Sequence, residues 1–149
     1  MEDGPSAKLF VLEFFKSLKN HLKPNGAITL QSGTLSLPED SVSLSRIVVT
    51  LQQVFEDVNP MQIFAPKYGT PLALTLATTK KLALPDAATI DHIFKEKMTG
   101  ENYMLDGRAV HALFAIPKCV TDSLRRNQKV LSGDDHIKLM TGNRVQVDR

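Results

Sequence analysis

The chain has 149 residues, and 42% of them are hydrophobic, which is enough apolar material for the core of one modest domain. Its 18 basic and 16 acidic residues leave a formal net charge of +2, so no strong field favours nucleic acid or an anionic membrane as a partner. A single cysteine excludes an internal disulfide. The apolar runs fall far short of the ~20 residues of a membrane-spanning helix, and no long apolar run follows basic residues near Met1, so we expect no secretory signal. We therefore expect a cytoplasmic protein.

The first predicted elements are a helix and a short strand. Apolar residues recur at the spacing of one buried helical stripe, at Val11, Phe15, Leu18 and Leu22. This stripe predicts a helix from Ser6 to Leu22. A breaker turn at 23–26 then leads into a strand at 27–30, which runs into Gln31-Ser32-Gly33.

A second helix and two consecutive strands follow. Acidic and hydroxyl residues at 38–41 favour a helix N-terminus, and the stripe behind them predicts a helix that ends near 57–59. The stripe consists of Leu44, Ile47, Val48, Leu51, Val54 and Phe55. After Asn59-Pro60, a strand is predicted at 61–65. Residues 72–78 form the strongest strand signal, and their near-continuous apolar character indicates that both faces are covered.

The last third of the sequence predicts two helices followed by a polar segment. Pro85-Asp86 opens a predicted helix at 87–97, and a further short helix is expected from Pro117 to Leu124. From Arg125 onward the sequence is polar, with a weak strand signal at 137–140. The order α-β-α-β-β-α predicts an α/β fold, the C-terminal half of a doubly wound sheet whose last two strands pair antiparallel, with a short helical C-terminal extension.

Three groups of motif residues follow one another along the chain. The first is Gly4-Pro5 with Leu9-Phe10 and Phe14-Phe15, and the second runs from Asn25-Gly26 to Gln31-Ser32-Gly33. The third runs from Asp106-Gly107 to Phe114-Ala115-Ile116-Pro117-Lys118. In this order they resemble the polyamine aminopropyltransferases, the family of the spermidine, spermine and thermospermine synthases, and the third group is most like thermospermine synthase. The resemblance implies a partial domain at 4–140, with a polar tail at 141–149, in a methyltransferase-like Rossmann sheet.

The same resemblance implies which reaction the complete enzyme catalyses and why we do not expect this chain to catalyse it alone. The complete enzyme would transfer an aminopropyl group from decarboxylated S-adenosylmethionine to a polyamine, putrescine or spermidine, and release methylthioadenosine. The family's catalytic aspartate and glycine-rich nucleoside loop belong before Met1. We therefore expect a fragment or truncated paralogue, with no catalytic residue in this chain and no co-substrate bound by the chain alone.

Three residues match family positions that contact substrates. Gln31 and Tyr68 match polyamine-binding positions, and Pro5 matches a proline beside the nucleoside. Each also has a structural interpretation: a strand-end glutamine bonded to backbone, a tyrosine packed on the surface, and a proline that starts a helix. The loop after Tyr68 departs from the family, and the aromatic residue expected in the next strand is replaced by Leu74 or Thr75.

Other reactive residue types favour no further chemistry. The histidines are scattered without the i, i+4 spacing of a helical zinc pair, so we expect no metal site; they are His21, His92, His111 and His136.

Two alternatives to an enzyme fragment stay open. One is a non-catalytic family member that acts as an associating subunit in a homo- or hetero-oligomer. The other is an unrelated α/β binding module that shares only the fold.

Overall fold

A computed structural model of the chain describes residues 5–35 and 41–133. The helices are α1 (Leu12–Asn20), α2 (Ser41–Gln52), α3 (Ala87–Lys97), α4 (Gly107–Leu113) and α5 (Lys118–Arg126). The strands are β1 (Ala27–Thr34), β2 (Asp57–Phe64) and β3 (Pro71–Thr78). Two short 3₁₀ helices lie at Pro5–Phe10 and Pro66–Tyr68.

The described strands form one sheet in the order β1-β3-β2. Both outer strands pair antiparallel with β3, so β1 and β2 run in the same direction with the last strand between them. This confirms the predicted α/β order and the antiparallel pairing of the last two strands. Strand β3 is covered fully on one face only. Ala73, Thr75 and Ala77 are buried on the face towards α2, whereas on the other face Leu72 is buried and Leu74 and Leu76 are partly buried. The prediction that both faces are covered is therefore met only in part.

Helix α2 is the centre of the core. Every residue of its predicted stripe, including Val54 and Phe55 just beyond its end, is buried. Towards one end of α2, Leu51 packs with Phe15 and Ala77. Towards the other end, Leu44 packs in a second cluster with Ala73 and Val120. The helix therefore joins the sheet to α1 on one side and to α5 on the other.

Three predicted boundaries are wrong. The second helix, predicted to end near 57–59, ends at Gln52, because residues from Asp57 onward pair with β3. Tertiary contacts also explain the other two. The helix predicted at 6–22 is broken at Val11, whose extended backbone separates the 3₁₀ helix from α1. The Leu12 amide bonds the Leu131 carbonyl at 2.9 Å, which gives this first amide of α1 an acceptor from outside the helix. Strand β2 begins at Asp57 and passes through Pro60, which a strand tolerates because β2 is an edge strand.

The segment after α5 contributes to the core, although its sequence is polar. Leu131 is completely buried and packs with Phe15 and Leu51. Its amide donates to the Thr50 hydroxyl at 2.8 Å. The helix-start signal at 38–40, the strand predicted at 137–140 and the tail at 141–149 lie outside the described residues.

Helices α3 and α4 form a hairpin beside β2. Each begins with an aspartate cap: Asp86 accepts from the Thr89 amide at 2.8 Å, and Asp106 accepts from the Ala109 amide at 2.6 Å. After α4, the Ala115 carbonyl accepts from the Gln62 side chain at 2.7 Å. The hairpin and the connection to α5 are thereby fixed against β2.

Candidate functional site

Gln31 lies near the carboxyl end of β1 with its side chain exposed. It stands opposite Leu74 of β3, and Leu74 stands opposite Met61 of β2. Directly opposed residues project from the same face of a sheet, so these three side chains form one row across it. The sequence predicts the end of a parallel strand here, whereas among the described residues β1 has only the antiparallel neighbour β3.

A β-bulge follows Gln31 and fixes the direction of the Gln-Ser-Gly motif. The register between β1 and β3 shifts between Gln31 and Gly33. Ser32 is 1% exposed and donates to the Thr75 hydroxyl at 2.6 Å. Gly33 has a φ of 122°, a conformation that a residue with a Cβ rarely adopts. The serine and glycine thus hold the bulge, and Gln31 alone of the three is exposed.

Tyr68 lies on the connection between β2 and β3, in the short 3₁₀ helix. Its side chain is 62% exposed. The turn is closed by the Tyr68 amide, which donates to the Ala65 carbonyl at 2.9 Å, and by Gly69, whose φ is 64°. The loop therefore has a fixed backbone and presents the phenol ring outward.

The connection between β2 and β3, which carries Tyr68, lies at the same end of the sheet as the carboxyl end of β1. Leu72 at the start of β3 is opposite Thr34, and Pro71 is opposite Phe64 at the end of β2. The row of Gln31 lies three residues along β3 from Pro71, about 10 Å at ~3.3 Å per residue. Both predicted polyamine residues consequently face solvent at one end of the sheet.

Leu74 and Thr75, the two candidates for the missing aromatic position, differ in environment. Thr75 is completely buried on the side of α2 and bonded to Ser32. Leu74 is partly buried and is the cross-strand neighbour of Gln31. Sequence reasoning left the choice between Leu74 and Thr75 open, and the pairing register identifies Leu74 as the residue beside Gln31.

The remaining predicted features are placed as follows. Pro5 opens the first 3₁₀ helix, and only its backbone is described. Within residues 5–35 and 41–133, no group of three or more histidine, cysteine, aspartate or glutamate side chains is arranged to hold a metal ion. No helix in these ranges is long and apolar enough to cross a membrane.

Residues 1–87 match the model of the spermine/spermidine synthase domain. The chain is 36% identical over 121 residues to a polyamine aminopropyltransferase of Synechococcus sp., a match that covers 78% of this chain and 38% of the relative. It is 25% identical over 138 residues to the polyamine aminopropyltransferase of Sulfolobus acidocaldarius, covering 92% and 45%. The chain thus spans less than half the length of these relatives.

Solved structures show the same fold. The spermidine synthase of Thermotoga maritima superposes with a TM-score of 0.68 at 20% identity, covering 83% of this chain and 41% of that one. A spermidine synthase in complex with the transition-state analogue AdoDATO gives a TM-score of 0.66 at 19% identity, covering 79% and 39%. The order of elements therefore corresponds to part of a Rossmann-like methyltransferase fold, and the chain belongs to the spermine/spermidine synthase family.

Proposed function

We propose that this chain supplies the amine-facing part of an aminopropyltransferase of polyamine biosynthesis. The complete enzyme transfers an aminopropyl group from decarboxylated S-adenosylmethionine to a polyamine in the cytoplasm. The observation that carries the proposal is the exposed Gln31 at a position matching the family's amine contact, beside Leu74 and at the same sheet edge as Tyr68. Family membership removes the unrelated binding module from the alternatives.

The chemistry of these side chains suits a polyamine, which alternates ammonium groups with methylene chains. The amide oxygen of Gln31 accepts a hydrogen bond from an ammonium group, and the face of Tyr68 can lie over a cationic nitrogen. Leu74 supplies an apolar surface for the methylene carbons in between. We assign spermidine as the acceptor, and hence a thermospermine synthase-like specificity, because the motif at 106–118 is most like that branch.

The nucleoside and the catalytic base come from a segment that matches the other part of the relatives. In this arrangement Pro5 lies against the nucleoside, and the chain holds the amine for deprotonation by the aspartate of that segment. General-base catalysis of this kind contributes roughly 10²–10⁴-fold in rate.

The direct test is a chimera in which the nucleoside-binding segment of the Synechococcus relative precedes this chain. Gln31→Ala should raise the KM for the amine roughly tenfold or more, because hydrogen bonds to charged groups contribute about 1.5–3 kcal/mol. Tyr68→Phe should raise it several-fold. The KM for decarboxylated S-adenosylmethionine should stay unchanged in both variants.

Gln52→Ala is the matched control, since Gln52 is an exposed glutamine at the end of α2, outside the row of Gln31. Amine KM values that are the same for Gln31→Ala, Gln52→Ala and the unaltered chimera would reject the assignment of the amine site.

A second candidate function is a non-catalytic subunit that associates with a complete enzyme. The departures beside Tyr68 favour it: Lys67 places a cationic side chain next to the proposed cation site, and Gly69-Thr70-Pro71 alters the loop. Under this alternative the chimera would bind the nucleoside and fold but would not transfer an aminopropyl group.

A further inference from the structure

The loop that carries Tyr68 also carries one charged side chain. Residues 64–71 contain no acidic residue, and Lys67 is their only basic residue. Lys67 lies in the middle of the short 3₁₀ helix Pro66–Tyr68 and is exposed. None of the ion pairs within residues 5–35 and 41–133 involves Lys67. Its positive charge is therefore not neutralised by a carboxylate in the part of the chain that the structure describes.

The backbone of the loop holds Lys67 close to the phenol of Tyr68. Consecutive Cα atoms are about 3.8 Å apart. Pro66 begins the turn, and the Gly69 amide donates to the Pro66 carbonyl at 3.2 Å, so the position of the lysine backbone is fixed. The flexible four-carbon stem of a lysine lets its ammonium group come within the ~8 Å Debye length of the neighbouring phenol.

The described strands offer no carboxylate near this loop. Together they carry one charged residue, Asp57, at the first position of β2. Phe64, at the other end of β2, is seven residues further on, about 23 Å at ~3.3 Å per residue. The Asp57 carboxylate also already accepts from the Leu82 amide at 2.8 Å. An ammonium group that approaches the loop thus meets Lys67 with no carboxylate of these strands to offset the repulsion.

We propose that Lys67 determines specificity by limiting the length of the polyamine that the amine site accepts. The proposal rests on the function proposed above, in which one ammonium group binds Gln31 and the polyamine extends towards Tyr68. Because the row of Gln31 lies about 10 Å from Pro71, spermidine spans roughly the distance to the loop. The further aminopropyl unit of spermine extends beyond Tyr68 and brings another ammonium group to Lys67. Like-charge repulsion then disfavours spermine relative to spermidine.

This limit restricts the reaction to one transfer per acceptor. In the transfer, the amine nitrogen forms a bond to the aminopropyl carbon, and the bond from that carbon to the sulfonium sulfur breaks. The electron pair of the broken bond leaves with methylthioadenosine, and the amine proton passes to the aspartate of the nucleoside-binding segment. The product carries one more ammonium group than spermidine. Lys67 therefore disfavours the return of the product as a second acceptor.

The test uses the chimera described above, which contains the whole of this chain, and measures the Ki of spermine as a competitor of spermidine. Lys67→Thr removes the charge and should lower this Ki roughly threefold to tenfold, the effect of one nearby like charge across solvent. Lys67→Glu should lower it further, because repulsion is replaced by attraction. Lys67→Arg keeps the charge and should retain the discrimination. The effect on putrescine, which ends short of the loop, should be smaller than that on spermine.

Lys81→Thr is the matched control, since Lys81 is an exposed lysine beyond Thr78, at the other end of the sheet from the loop. It lowers the net charge equally and should leave the Ki of spermine unchanged. Calorimetric titration of the chimera with spermine gives the same comparison without turnover.

An unchanged affinity for spermine in Lys67→Thr, or an equal rise in Lys81→Thr, would overturn the proposal. If Gln31→Ala raises the KM for spermidine while Lys67→Thr changes nothing, only the length limit is rejected. If neither substitution changes any amine constant, or the chimera binds no amine, the amine site itself is rejected together with the length limit.

Discussion

Thr50 links three segments that lie far apart in the sequence. Its buried hydroxyl donates to the Arg46 carbonyl at 2.6 Å and accepts from the Leu131 amide at 2.8 Å. Leu131 in turn bonds the first amide of α1. One hydroxyl group therefore holds the segment after α5 between α1 and α2.

Thr50→Val is expected to destabilise the protein by about 1–3 kcal/mol, because the shape is kept while the Leu131 amide is left buried without an acceptor. Urea unfolding followed by circular dichroism measures this loss. Thr121→Val is the control, since its hydroxyl makes only a 3.4 Å bond at an exposed position, and it should change stability by less than ~0.5 kcal/mol. Equal losses in the free energy of unfolding for the two variants would show that the hydrogen bonds of Thr50 stabilise the protein no more than that of Thr121.

At the residue scale, the sequence was sufficient to name residues of a candidate amine site but not to predict their geometry. The Gln-Ser-Gly motif pointed to Gln31, and a glycine after a strand is a signal for a bulge. The inward direction of Ser32 and the position of Leu74 depend on how β1 is aligned with β3. That alignment is a long-range feature, since Ser32 and its bonding partner Thr75 are 43 residues apart in the sequence. A one-residue shift exchanges the faces of a strand, so pattern alone could not choose between Leu74 and Thr75.

At the scale of elements, the α3–α4 hairpin depends on a close backbone approach. Gly107 is buried at the start of α4, and a Cβ added there would lie 2.0 Å from the Ala87 carbonyl oxygen. The Gly107 amide also donates to Asp91 at 2.6 Å. Only glycine lets the two helices approach this closely.

Gly107→Ala should destabilise the chain by about 1–3 kcal/mol or more, since the overlapping atom is backbone and cannot rotate away. Thermal unfolding is the measurement. In Gly133→Ala the added Cβ would meet only a side-chain oxygen, at 3.9 Å, so this control should change the melting temperature little. An unchanged melting temperature for Gly107→Ala would contradict the packing of α3 against α4.

The cap of α3 gives stability a dependence on acidic pH. The backbone amide of Thr89 donates to Asp86 and, with the Thr89 side chain, lowers the pKa of this carboxyl below its ordinary value of 3.8. A carboxyl whose pKa is lowered by folding stabilises the folded state fully above the unfolded pKa, and this contribution is lost as pH falls through the folded pKa.

Asp86→Asn should keep the cap, because its amide oxygen still accepts from Thr89, but should flatten the fall in stability between about pH 5 and pH 2. Urea midpoints measured across this range test the prediction. Asp122, whose pKa is lowered mainly by its bond to Lys118, remains in both proteins as a shared background. A pH profile identical in the two proteins would assign the acid dependence to other carboxyls.

Elements with strong periodicity were predicted well. The stripe of α2 is buried as expected, because hydrophobic spacing reports burial directly. The apolar run of β3 is buried on the face towards α2, whereas Leu74 and Leu76 on the other face are only partly buried. Element boundaries that depend on distant contacts were not predicted correctly. Val11 interrupts a continuous apolar stripe, and β2 passes through Pro60. Leu131 was missed because a single apolar residue in a polar segment carries no periodic signal.

At the scale of the whole molecule, the order of helices and strands was sufficient to indicate an α/β fold, and three ordered motifs were sufficient to indicate the family. The described sheet has three strands, and the chain spans 38% of its Synechococcus relative. In the enzyme that we propose, the amine contacts lie within this chain, and the nucleoside loop and catalytic aspartate belong to a segment outside it.

The most direct measurement is an aminopropyl-transfer assay that detects methylthioadenosine and the lengthened polyamine, run in parallel on the chain and on its chimera with the nucleoside-binding segment of the Synechococcus relative. The chain alone should give no product above a heat-inactivated control. The chimera should release methylthioadenosine and lengthened polyamine in equal amounts. A chimera that is folded and binds decarboxylated S-adenosylmethionine but forms no product would contradict the proposed catalytic role and favour the associating subunit.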